Sequence, residues 1–167
     1  MFQISDHWKS TFPDAHAGVL VMRDVVNPPT HAELEKRKIA LEQELRAHYA
    51  HQDRAALMQL PVMQAYAASY RRFKKTYHVQ LQLESIVFKG KSLPSVAALV
   101  EAMFMAEVKN LLLTAGHDLD MLHLPLTLDV AQGDERYSLL RGQEQELKAG
   151  DMLIRDGLGV ISSIVYG

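Results

Sequence analysis

The sequence predicts an α+β fold, because helical patterns come first and strand patterns afterwards, without the alternation that builds a doubly wound sheet. Up to Leu113 the long apolar segments suit helices; from Leu124 short β-patterned runs alternate with glycine turns. At 167 residues and 48% hydrophobic content the chain can bury one sizeable core, so a single domain over 1–167 is expected.

Taken in order, Phe2–Ile4 reads as a short strand and Ala17–Val26 as a longer, Val-rich one, closed by the Asn27-Pro28-Pro29 turn. Thr30 and Glu33 form a capping box for a helix that carries Leu34, Ile39, Leu41 and Leu45 to about His48, with a solvated charged face. A second helical stretch starts near Asp53 and continues past Pro61 to about Lys74. The longest helix follows Pro94, with Ser95 as its cap, and runs through Leu113, roughly 28 Å at 1.5 Å rise per residue. Its apolar residues lie on nearly every side, which predicts a central buried helix, with Met103 and Met105 as core filler. Beyond Leu124, turns at Gln132-Gly133, Arg141-Gly142, Ala149-Gly150 and Gly157 to Gly159 separate about four or five antiparallel strands.

Composition removes several kinds of chemistry. The chain has no cysteine, so disulfides, thiolate nucleophiles and Cys-ligated zinc are excluded. No phosphate-binding glycine loop, dinucleotide fingerprint, Gly-x-Ser-x-Gly elbow or His-Glu-x-x-His pattern occurs. No charge-free apolar run reaches roughly 18 residues. The N-terminus lacks a signal-peptide pattern, which leads us to expect a cytoplasmic protein without a membrane partner.

Charge is unevenly spread, although the formal net is only −2. Between Arg71 and Lys91 the bases Arg71, Arg72, Lys74, Lys75, Lys89 and Lys91 face Glu84 alone; from Asp118 to Asp156 acids outnumber bases. A basic waist of this kind meets phosphate or is a solvated helix end. Tyr70, Phe73 and Tyr77 interleave with it, either as stacking faces for bases or, the preferred reading, as a packed stripe at i, i+3 and i+7.

The stretch Gly116-His117-Asp118-Leu119-Asp120 stands after the longest helix. Asp118 and Asp120 suit a loop in which short acids accept backbone amides, and His117 is the residue most expected to face a pocket. His117, Asp118, Asp120 and His123 have side chains that suit zinc or manganese. Adjacent and alternate loop positions rarely converge on one ion, so no metal and no cofactor is assigned.

Several of these markers occur in a familiar order: Tyr70-Arg71-Arg72, Gly90-Lys91-Ser92-Leu93-Pro94, Gly116 to Asp120, Gly133-Asp134-Glu135, Leu140-Arg141-Gly142 with Glu144, and Gly150-Asp151 with Asp156. In this the chain resembles the B3/B4 domain, the tRNA-binding and editing module of the phenylalanyl-tRNA synthetase beta chain, which also occurs as small stand-alone proteins. The resemblance covers about 70–167, leaving 1–69 as an N-terminal strand and helices. It implies an antiparallel β-sandwich-like core with flanking helices and a strand-rich continuation past Val165-Tyr166-Gly167, so the C-terminus looks truncated. The central-helix Val-Asp-x-x-Asn pattern of the family reads Val100-Glu101-Ala102-Met103-Phe104, without its asparagine.

The function implied is binding of tRNA or an aminoacyl-tRNA end, with hydrolysis of mischarged aminoacyl-tRNA in trans as the activity such a domain would carry. In such a deacylase His117 would orient water or hold the terminal ribose, and amides around Gly116 would hold the ester oxygen, since an activated ester needs orientation and oxyanion donors more than a nucleophile. Arg71, Arg72, Lys74 and Lys75, with Gly116, Asp118 and Asp120, make up the expected RNA and substrate contacts. The alternatives are a pocket for a small amino-acid-like ligand without RNA, and a non-catalytic module that self-associates through the edge of Val160-Ile161-Ser162-Ser163-Ile164-Val165-Tyr166.

Overall fold

The computed structural model describes residues 2–139 and 142–166. The fold is α+β. The chain divides into two compact units, one of Met1–Val21 with His117–Gly167 and the other of Met22–Gly116.

The first unit is built on strands. β1 (Phe2–Ile4), β2 (Leu126–Val130), β5 (Met152–Arg155) and β6 (Val160–Ser163) form one sheet in the order β1-β2-β5-β6, and β3 (Arg136–Ser138) pairs with β4 (Glu144–Glu146) in a separate ribbon. The pairs β2/β5, β5/β6 and β3/β4 are antiparallel, as the turn spacing predicts, while β1 joins β2 in parallel with Phe2 opposite Leu126, which makes the larger sheet mixed. Alternation sorts the side chains. Leu128, Val130, Met152 and Ile154 pack with Phe2 and Ile4 against Trp8 of helix α1 (Asp6–Thr11) and Phe12, its C-cap. Leu153 instead joins Ala131, Tyr137 and Leu147 in a second core that includes residues of the β3/β4 ribbon. Ser5 caps α1 by accepting the Trp8 amide at 3.0 Å, and its hydroxyl donates to Asp129 at 2.6 Å, tying helix to sheet.

The glycine turns supply what the strands cannot. Gly133 holds φ at 107°, and a Cβ there would lie 3.2 Å from the Ala149 amide nitrogen. The Glu135 carboxylate accepts the Gln132 and Gly133 amides at 2.9 Å and fixes this turn. Gly133→Ala is expected to cost more than about 1 kcal/mol, read as a lower urea midpoint at unchanged slope. Leu140 and Arg141, in the next expected turn, lie outside the described residues.

The second unit is helical: α2 (Ala32–His48), α3 (Arg54–Met58), α4 (Pro61–Arg71), α5 (His78–Val87) and α6 (Ala98–Asn110). α2, α5 and α6 pack on one another over a core that includes Leu41, Leu45, Val79, Leu83, Ile86 and Val108. Two buried glutamates on α6 hold the loops beside it. Glu101 accepts the Val96 amide at 2.8 Å and Glu107 accepts the Thr114 amide at 2.9 Å.

Several expectations change here. Ala17–Val26 is not a strand: its residues are all exposed and without ladder partners. α2 starts at Ala32, capped by the His31 ring on the Leu34 amide rather than by Thr30. The Pro94 helix starts at Ala98, because Ser95 and Val96 are held in the preceding loop by Lys38 and Glu101, and ends at Asn110, where Leu111 turns left-handed at φ 57°. Residues 53–74 form two helices, with Pro61 opening the second. Among the described residues no helix is long and apolar enough to cross a membrane.

Candidate functional site

The basic run occupies a helix end and the turn after it. The Lys75 amide donates to the Tyr70 carbonyl at 3.1 Å and the Lys74 amide to that of Arg71 at 3.0 Å, the paired bonds of a Schellman cap, with Lys74 in the left-handed position at φ 57°. Glycine would adopt that φ without steric cost, yet here a lysine is presented. Arg71, Arg72, Lys74 and Lys75 are all exposed.

The aromatic residues between them are not. Tyr70, Phe73 and Tyr77 are buried, Tyr77 stacks on Tyr66 with centroids 4.2 Å apart, and its hydroxyl donates to the Leu111 carbonyl at 2.9 Å. Burial pushes the Tyr77 pKa up. The packed-stripe reading holds, and these rings offer bases no stacking platform. The Arg72 guanidinium lies 5.8 Å from the Phe73 ring centroid, which orients it at the surface.

Arg71 and Lys75 share a cavity of about 160 Å³ with Arg54 and Met58 of α3, Ala67 of α4, Thr76, and Tyr77 and Gln80 at the start of α5. Arg54 donates through Nε to Glu84 at 2.9 Å, and the Gln80 amide donates to the same Glu84 oxygen at 2.6 Å. Arg71 makes no ion pair among the described residues. Sequence spacing finds Arg71 and Lys75 together but misses Arg54 and Gln80. Arg54 stands alone outside any basic run, and only the packing of α3 beside α4 and α5 brings it to this cavity.

The Gly116 to Asp120 stretch is a loop ending in a single 3-10 turn at Leu119–Met121. Gly116 belongs to the helical unit, where a Cβ would lie 3.1 Å from the Met103 sulfur. His117, Asp118 and Asp120 belong to the β unit. The Asp118 carboxylate accepts the Asp120 amide at 3.1 Å and so caps the turn, as a loop aspartate should; Asp120 is exposed. His117 is exposed, and such desolvation as its ring feels lowers its pKa. His123 lies 3.5 Å from Asp156, whose carboxylate is engaged by the His123, Leu158 and Gly159 amides. Among the described residues no group of three or more His, Asp or Glu could hold a metal ion.

No protein-family model, no curated protein and no solved structure matches this chain.

Proposed function

We propose that the protein binds tRNA or an aminoacyl-tRNA end, as the resemblance to the synthetase editing module implies, with hydrolysis of mischarged aminoacyl-tRNA as the activity it serves. The observation that carries this reading is the clustering of exposed Arg71, Arg72, Lys74 and Lys75 at one helix end, with lysine in a position that glycine would fill more easily. Because the neighbouring rings are buried, these contacts are to phosphate and carry no base sequence directly. His117, exposed in its loop, is the side chain assigned to orient water or the terminal ribose.

The test is a tRNA titration at low and moderate salt. Four phosphate contacts predict a loss of about 100-fold in affinity between roughly 50 and 200 mM salt. Arg71→Ala with Arg72→Ala should weaken binding and flatten that salt dependence. His117→Ala should leave binding intact and abolish release of a mischarged amino acid. Absence of binding at the lower salt overturns the reading.

A further inference from the structure

We propose that the cavity between α3, α4 and α5 is a binding site for a phosphomonoester group. This goes beyond the RNA reading: the site shares Arg71 and Lys75 with it, but Arg54, Thr76 and Gln80, which no RNA argument selects, complete it.

Its chemistry is that of an anion receptor. Arg54, Arg71 and Lys75 converge on it from three segments of the helical unit, and Thr76 adds a hydroxyl. Tyr77 and Gln80, respectively 0% and 3% exposed, are its buried lining residues. Glu84 anchors Arg54 through Nε, which leaves the two terminal guanidinium nitrogens to donate. The cavity lining holds cations and no carboxylate, Glu84 reaching only Arg54 from outside it, which suits the dianionic charge of a phosphomonoester near its second ionisation. α5, a helix of 10 residues, opens at this wall with Tyr77 as its N-cap and no side-chain cap, so the partial positive charge of its first turn adds to the cations.

Charge and lining favour the monoester. The cavity of about 160 Å³ has room for a phosphate group. Buried Tyr77 and Gln80 behind the exposed cations favour a terminal group that enters end-on through one ester bond. An internal diester carries a substituent on both sides and would have to enter sideways.

The experiment is calorimetric titration of the full chain at pH 7.8 and fixed ionic strength with inorganic phosphate, methyl phosphate and dimethyl phosphate. Inorganic and methyl phosphate should bind at least about tenfold more tightly than the diester. Arg71→Gln and Lys75→Gln should each weaken them about tenfold, while Lys89→Gln, a lysine off the cavity, should not. Melting curves establish that each variant is folded; Arg54→Lys, which keeps a cation beside Glu84, serves in place of an Arg54 truncation. No saturation by inorganic phosphate, equal binding of methyl and dimethyl phosphate, or indifference to Arg71→Gln would each overturn the proposal. Phosphate binding without tRNA binding supports this site and removes the RNA reading; tRNA binding without phosphate binding does the reverse.

Discussion

Lys38→Ala should unfold the helical unit more readily than any surface change, by about 3–5 kcal/mol, because it leaves a buried carboxylate without its partner. Lys38 on α2 is only 4% exposed and Glu101 on α6 only 3%. The Lys38 ammonium uses all three of its hydrogens, reaching Glu101 at 2.9 Å, Glu35 at 2.8 Å and the Ser95 hydroxyl at 3.0 Å. Desolvation works against the charged lysine, but hydrogen bonds to Glu35 and Glu101 outweigh it and raise its pKa. The Lys38 hydrogen bond holds the Glu101 carboxyl below its usual range against desolvation, with the Val96 amide assisting.

The linked pH dependence follows from those directions. Stability from Glu101 is present above its unfolded pKa and fades as pH falls through its lower folded value; stability from Lys38 is present below its unfolded pKa and fades as pH rises through its higher folded value. The variant should therefore lose most against the wild type near neutral pH. Urea unfolding followed by far-ultraviolet circular dichroism measures this. Lys38→Met with Glu101→Gln, which removes both charges and keeps an acceptor for Val96, should recover most of the loss. A single variant as stable as the wild type would show that the pair contributes nothing.

That ion pair explains why part of the fold was legible in the sequence and part was not. The strands β2 to β6 were readable because alternation and glycine turns are local, and the structure places Leu128 and Val130 on one face as a period of two demands. Ala17–Val26 has the same valine-rich composition, yet strand propensity expresses fit to a pleated neighbour, and no neighbour pairs with it. α5 was missed because Val79, Leu81 and Leu83 alternate with polar residues like a strand. Its buried face is instead Val79, Leu83 and Ile86, at i, i+4 and i+7. The Pro94 helix reads as 95–113 in the sequence against 98–110 in the fold: nothing local shows Lys38, 57 positions before Ser95, binding the loop before it, nor the left-handed Leu111 that ends it. The same limit applies to the candidate site: the charge run exposes Arg71 and Lys75, while Arg54 and Gln80 reach the cavity through tertiary packing.

Asp151→Asn should change how the β unit responds to pH. Asp151 is 0% exposed, beside the core of Tyr137, Leu147 and Leu153. The Ser163 hydroxyl donates to its Oδ2 at 2.5 Å, and Oδ1 has no partner of hydrogen-bonding geometry among the described residues. Burial pushes its pKa up to about 6, against the pull of Ser163 and of the Val165 and Met152 amides. The pKa values of Tyr137 and Tyr166 are raised, first by burial and also by the Asp151 charge. A carboxyl with a raised pKa binds its proton more tightly folded than unfolded. Its contribution is thus fully present below the unfolded value near 4 and is lost as pH rises through about 6. The gap corresponds to at most about 3 kcal/mol.

Asparagine can still accept from Ser163 but cannot ionise, so its own burial cost is independent of pH. The stability difference, variant minus wild type, should therefore rise by about 2–3 kcal/mol between roughly pH 4 and pH 7.5, whatever its absolute offset. Trp8, the single tryptophan, is 4% exposed in the core of this unit, so its fluorescence during urea unfolding reports the β unit selectively. Parallel pH profiles for the two proteins would mean that Asp151 ionises in the folded state as readily as in the unfolded one. A difference that shifts in the variant's favour as pH rises from about 4 to 7.5 would identify this aspartate as the group whose ionisation weakens the strand core at neutral pH.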